Sequence, residues 1–202
     1  MNHVRGGYVP FEMYRDRTGR IVDVNVGDIH LNGEYFGTWG EKDVEWLRRK
    51  LVEEGDLHNL EILHHELYHK MTIREMVLGA YEVDTKLIEG SAYLYGKVMK
   101  HYDMTGDENR SLYLALQELY TEKQQEDEEF LEKYVDPAIK IAEKIKGSPV
   151  KFLLKEVPRY RRLDDFLRSA DSYSQSPDSL FRSAEQWSIY QPVELGSYFA
   201  GG

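Results

Sequence analysis

The spacing of apolar side chains changes period near residue 41. Before that point, Ile21-Val22-Asp23-Val24-Asn25-Val26 alternates apolar and polar with β-branched residues, the period of a half-buried strand. Tyr8 to Tyr14 is a mixed apolar segment, and Asp16-Arg17-Thr18-Gly19 supplies a turn between the two. Gly27-Asp28 interrupts the alternation, Ile29 and Leu31 resume it, and Asn32-Gly33 signals another turn. Tyr35-Phe36 reads as a third short strand. The expectation for residues 8–37 is one small antiparallel sheet.

From Glu41 the pattern is helical. Val44, Leu47, Leu51 and Val52 share a face, and Gly55-Asp56 stops that helix and caps the next. A second helix is predicted from Leu57 to Met71, a separate region from Thr72 to Leu78 before Gly79, and a further helix from Asp84 to His101. Residues 102–109 read as a loop around Gly106. Leu112, Leu116, Leu119 and Tyr120 then repeat helically, and the acidic run Glu122 to Glu129 reads as the solvated face of that long helix. Pro137 begins another helix that ends near Gly147. Val157 to Ala170 is predicted as one helix, and Ser169 to Ser179 as a loop. The tail carries Phe181, Trp187, Tyr190, Tyr198 and Phe199, too aromatic for a plain linker. It either packs on the core or lies over a cleft. The implied fold class is α+β, with a core at 1–104 and a mainly helical extension at 105–202 packed on it, or all of it in one domain.

The polar positions of the second helix carry chemistry. His65-Glu66-Leu67-Tyr68-His69 contains the pattern H-E-x-x-H. Residues four apart on a helix lie one turn above each other, so two imidazoles converge on one ion. Glu66 projects beside them, within reach of a metal-bound water. Leu60, Leu63, Leu67 and Met71 form an apolar stripe opposite His65 and His69, with Ile62 and Glu66 adjacent to the ligands. The bland alternative is a surface helix with scattered His and Glu.

Catalytic zinc takes three protein ligands and keeps a fourth position for water. Leu87-Ile88-Glu89-Gly90-Ser91-Ala92 offers Glu89, twenty positions after His69. At these residues the chain resembles the gluzincin metallopeptidases, and in size the minigluzincins. Their third ligand is a Glu on a second helix at about this spacing, often followed by Gly and a small residue. The resemblance covers roughly residues 20–100. It implies a zincin-like arrangement of small sheet, active-site helix and glutamate helix, with Zn2+ held by His65, His69 and Glu89 and Glu66 as general base. Gly90 in a helix interior costs about 1 kcal/mol relative to Ala, a cost explained by two helices approaching closely at the metal. Ala92 and Gly96 lie on or near the same face. Related peptidases often place an aromatic five positions after the glutamate, whereas Tyr93 and Tyr95 here lie four and six on. Tyr93, Tyr95 and His101 are the candidates for stabilising a transition state. Asp84 and Glu82 are candidates for orienting the histidines. His64 points about 100° away from the ligand face, and His30 and His58 have no metal-ligand spacing.

Composition changes this picture little. The 202 residues include no cysteine, so disulfides, thiolate ligands and cysteine nucleophiles are excluded. The formal net charge of -10 argues against a nucleic-acid partner. No apolar run approaches the roughly 20 residues that span a bilayer, and Met1 to Pro10 lacks the pattern of a signal peptide. The expectation is a cytoplasmic zinc peptidase acting on a peptide or protein, with an edge strand pairing to an extended substrate. The alternative is an inactive or latent zincin-like protein that serves as a binding or regulatory module.

Overall fold

The computed structural model describes residues 7–32 and 43–172. The strand expected at Tyr35-Phe36 and the aromatic tail lie outside them. The described fold is α+β. Its strands are β1 (Gly7–Tyr8), β2 (Phe11–Arg15), β3 (Ile21–Val26) and β4 (His30–Leu31). Its helices are α1 (Val44–Glu54), α2 (Leu57–Val77), α3 (Thr85–Thr105), α4 (Glu108–Glu122), α5 (Glu128–Phe130), α6 (Asp136–Ala142), α7 (Pro149–Lys155) and α8 (Leu163–Ser172). A π-helical turn, Leu131–Val135, joins α5 to α6, and a 3-10 turn, Val157–Arg159, follows α7.

The strands form two separate two-stranded antiparallel sheets rather than one. β2 pairs with β3, and β1 pairs with β4 through Gly7 opposite Leu31 and Tyr8 opposite His30. Pro10 breaks the first side and Gly27-Asp28 the second, so the two sheets make a bent ribbon. It lies along one face of α2. The amide of Ile21 donates to Ala80 O and that of Gly79 to Ile21 O, at 2.9 and 2.8 Å. Arg74 reaches Asp23 at 3.4 Å, and Lys70 donates to Gly27 O and Asp28 Oδ1, both at 2.8 Å. Residues 66, 70 and 74 are stacked one turn apart, so the open end of the ribbon arrives over Glu66.

α2 runs unbroken to Val77, past the boundary expected at Met71. The Thr72 hydroxyl donates to Tyr68 O at 2.7 Å, which satisfies it inside the helix. Leu78 and Gly79, the latter with φ of 85°, end the helix. Nor does α2 have a single apolar stripe. Leu60 and Leu63 face Leu47 and Leu51 of α1, whereas Tyr68, Ile73, Met76 and Val77 enter the main core. Met71, expected in the stripe, is 51% exposed.

α3 is the centre of the molecule and is buried on several faces, from Leu87 to Lys100. The main core runs from Ile21 to Phe166 and includes residues of α2, α3, α4, α6, α7 and α8. The loop predicted at 102–109 shrinks to a corner, because Gly106 closes α3 with φ of 67° and Asp107 caps α4. Residues 123–129 of the acidic run are exposed, but they form a turn and a new helix start rather than a continuing helix face, and Glu122 pairs with buried Lys97. α4 stops at Glu122, Asp127 starts α5, and a continuous helix would stack Glu122 on Glu126. The helix expected from Val157 to Ala170 is broken at Tyr160–Arg162. There Arg161 donates to the carbonyls of Leu78 and Pro158, and Asp84 accepts from the Leu163 amide to start α8.

A buried ion network ties α2, α3 and α4 together. The Lys97 side chain is 2% exposed and meets Glu61, Glu122 and Glu118 at 3.0, 2.7 and 3.4 Å. Lys100 meets Glu61 and Glu118, each at 2.6 Å. Burial would lower Lys97, but Glu61, Tyr93 and Glu122 outweigh it and hold its pKa above the ordinary value. Burial would raise Glu118, yet hydrogen bonds from His101 and Lys100, with the charges of Lys100 and Lys97, bring it down to about 2.

Two outcomes follow. A Cβ at Gly90 would sit 2.4 Å from Pro137 Cβ and 3.2 Å from the Ala138 amide. Gly90→Ala should therefore destabilise the fold by about 1–3 kcal/mol despite its better helix propensity; a thermal melt at or above the wild-type midpoint would contradict this packing. Glu118 has a depressed folded pKa, so its stabilisation is present above the ordinary 4.5 and is lost as pH falls towards about 2. Glu118→Gln should flatten the fall of melting temperature across that window, and parallel curves would remove Glu118 from the network's acid response.

Candidate metal centre

α2 begins at Asp56, whose side chain accepts from the Asn59 amide at 3.2 Å. Two turns on, the helix places His65 and His69 with ring centres 4.6 Å apart. α3 begins at Asp84, whose Oδ1 accepts from the amides of Lys86 and Leu87. Its first turns carry Glu89 to the imidazoles. The two helices can meet because α3 has no side chain at Gly96. A Cβ there would lie 2.8 Å from Glu61 O and 3.4 Å from the His65 amide. Gly96 makes the close approach at the His helix. Gly90, expected to do the same, makes room for Pro137 on α6 instead.

The donor atoms converge. His65 Nε2 and His69 Nε2 are 2.9 Å apart, and Glu89 Oε2 lies 3.4 and 3.5 Å from them. A circle through these atoms has a radius of about 1.9 Å, just inside the roughly 2.0–2.2 Å of zinc–nitrogen and zinc–oxygen bonds. The spacing therefore suits one ion held by all three. Two nitrogens and a carboxylate, without sulfur, are a donor set suited to zinc. His65, His69 and Glu89 are the group of potential ligands found among the described residues. Their side chains are 16%, 14% and 24% exposed, so small molecules can approach.

The two carboxylates beside the imidazoles shift in opposite directions. Burial would raise Glu89, but hydrogen bonds and charge from His65 and His69 hold it far below the usual carboxylate range. Glu66 moves the other way. Burial raises it, and the nearby Glu89 adds to the rise against the opposing pull of the histidines. The ribbon contributes to its burial. A Cβ on Gly7 would lie 3.2 Å from Glu66 Cγ, and Glu66 is only 7% exposed.

The opposite wall is the π-helical turn. Tyr134 on that turn has its ring centre 6.5 Å from that of His65 and packs with Phe130 and Tyr93 at 5.0 and 5.7 Å. Lys133 lies 4.8 Å from the Tyr134 ring centre and near Glu89, and a hydrogen bond with Tyr134 raises its pKa. π-turns within helices recur at functional sites because they re-aim one side chain without breaking the helix.

The other sequence candidates are engaged elsewhere. The Tyr93 hydroxyl donates to Glu122 Oε2 at 3.0 Å. Tyr95 is a core residue against Tyr68 and His64, pushed up to about 12 by burial and the charge of Asp103. His101 pairs with Glu118 at 2.9 Å. Both carboxylate oxygens of Asp84 serve helix starts, at α3 and at Leu163, and Glu82 is exposed. His64 points away from the cluster, as its place on the helix requires, and pairs with buried Asp103 at 2.8 Å; Arg48 meets the same oxygen at 3.0 Å. Sequence reading missed Tyr134 and Gly7. No spacing links Tyr134 to Glu89, and its placement depends on the π-turn. Gly7 precedes a tyrosine and a proline and signals nothing by itself.

No protein-family model, curated protein or solved structure matches the chain, so the reading of this centre rests on its own geometry.

The geometry predicts one zinc per chain. His65→Ala and Glu89→Ala should each abolish stoichiometric binding in chelator competition. Gly96→Ala, which forces α3 away from the His65 backbone, should weaken it by roughly 10-fold while helical circular dichroism is retained. An unchanged affinity in Gly96→Ala would show that this contact does not set the ligand spacing.

Proposed function

We propose that the chain is a zinc-dependent peptidase of gluzincin type, with a zincin-like fold. The observation that carries this reading is the convergence of His65, His69 and Glu89 within 3.5 Å, with Glu66 on the same helix. Zinc bound there supplies Lewis acidity and lowers the pKa of its water towards about 7. Glu66 accepts the water proton and passes it to the leaving amine nitrogen. Tyr134, whose ring centre lies 6.5 Å from that of His65, is the candidate to donate its hydroxyl to the oxyanion that forms on the substrate carbonyl. The substrate lies between the ribbon and the π-turn, as an extended peptide.

One observation favours latency as the resting condition. Glu66 is the least accessible member of the group, at 7%, and Gly7 of the ribbon lies against its side chain.

Glu66→Gln should retain stoichiometric zinc and lose turnover of a peptide library by at least about 10²-fold. Tyr134→Phe should lower kcat by about 10²-fold with little change in KM. Zinc-loaded wild-type protein that cleaves no peptide, with Glu66→Gln indistinguishable from it, would leave the inactive binding module as the better reading.

A further inference from the structure

We propose that β1 is a resident strand in the substrate's place: Gly7–Tyr8 pairs with the β4 edge over Glu66 and lifts away when an extended peptide binds. The proposal rests on the peptidase reading and names how that same site is regulated.

Three observations carry it. First, β1 makes the kind of contact expected of a substrate. It is an extended segment paired antiparallel with a strand beside the catalytic helix. Second, it lies against the catalytic base. A Cβ on Gly7 would meet His30 O at 2.7 Å, Leu31 Cδ2 at 2.9 Å and Glu66 Cγ at 3.2 Å, so the backbone rests directly on the Glu66 side chain. Glu66 consequently has less exposure than any of the three ligands. A general base must come within hydrogen-bond reach of the reacting groups, and a backbone lying on it competes for that space.

Third, β1 has a hinge behind it. Among the described residues two residue pairs join it to β4, Gly7 with Leu31 and Tyr8 with His30. Pro10 separates it from the five-residue β2, and the Gly27 amide closes onto Pro10 O at 2.8 Å. Val9, 8% exposed, anchors the chain just inside that point. The segment can therefore swing at Val9-Pro10 while β2 and β3 keep their pairing on α2. Tyr8 and His30 stack on the outer face with ring centres 5.0 Å apart, a clasp exposed to solvent.

The test uses the full chain loaded with zinc. Binding of a peptide hydroxamate should speed hydrogen exchange in the segment containing β1 while residues of β4 stay protected, because the inhibitor's backbone replaces one strand on the other. Gly7→Val, whose side chain has no room beneath the strand, should raise kcat/KM for a peptide by about 10-fold, the reciprocal of the fraction already open, with zinc affinity unchanged. A zinc-loaded chain that binds the hydroxamate while β1 keeps its protection overturns this proposal alone. So does a Gly7→Val protein with lower or unchanged kcat/KM, which would make β1 a support for the base. A chain that binds no zinc overturns the peptidase reading and this proposal with it.

Discussion

The backbone contact between α2 and α3 at Gly96 is the constraint on which the centre depends. His65 and His69 are fixed relative to each other by the pitch of one helix. Glu89 belongs to another helix, and nothing local to either holds it within 3.5 Å of the imidazoles. That distance is set where the helices touch, at Gly96 against Glu61 O and the His65 amide. Seven residues separate Glu89 from Gly96, about two turns of helix. A small outward shift at the contact is thus transmitted almost undiminished to the ligand, because a helix is stiff over that length.

The ion network holds the same two helices. Glu61 lies one turn before His65 on α2, and Lys97 and Lys100 follow Gly96 on α3. Burying lysine ammonium groups at 2% and 8% exposure is costly, and such pairs add little net stability over apolar packing. Their effect here is on register. Glu61 receives both lysines, so sliding α3 along α2 by one turn would leave a buried charge without its partner. Glycine sets the distance between the helices, and the charges set their position along the axis. Both requirements must be met for three donor atoms to face one point.

Much of the centre was legible in the sequence because it depends on helix periodicity. H-E-x-x-H puts His65 and His69 one turn apart on one face with Glu66 on the adjacent face, whatever the rest of the chain does. Glu89 could be proposed because it stands at the spacing of the third ligand in the gluzincins the chain resembles, with a glycine and an alanine nearby that mark a crowded helix. The partner of that crowding could not be read. Gly90 and Gly96 look alike in sequence, yet one faces Pro137 and the other the His helix. Tyr93, Tyr95 and His101 sat near the ligand in sequence, and their polar atoms or rings went to Glu122, the core and Glu118 instead. Tyr134 came from forty-five residues downstream by way of a π-turn, which has no reliable sequence signature. Boundaries erred in the same way. The acidic run looked like a helix face because charge spacing was read without Asp127, whose side chain starts a new helix.

The ribbon joins these themes. It is tied to α2 on the face of residues 66, 70 and 74, next to the face that carries the histidines. Its attachments at Ile21 and Gly27 lie beside the later turns of α2, and the β1–β4 pairing lies over Glu66. That order matters. A cover anchored most firmly over the base would exclude substrate permanently, and one with no anchor would add nothing to the site. A ribbon fixed at its closed end and hinged at Val9-Pro10 keeps Glu66 buried and, on the displacement proposed above, yields to another backbone that pairs with β4. Competition between two strands for a single edge would then couple binding of an extended peptide to exposure of Glu66.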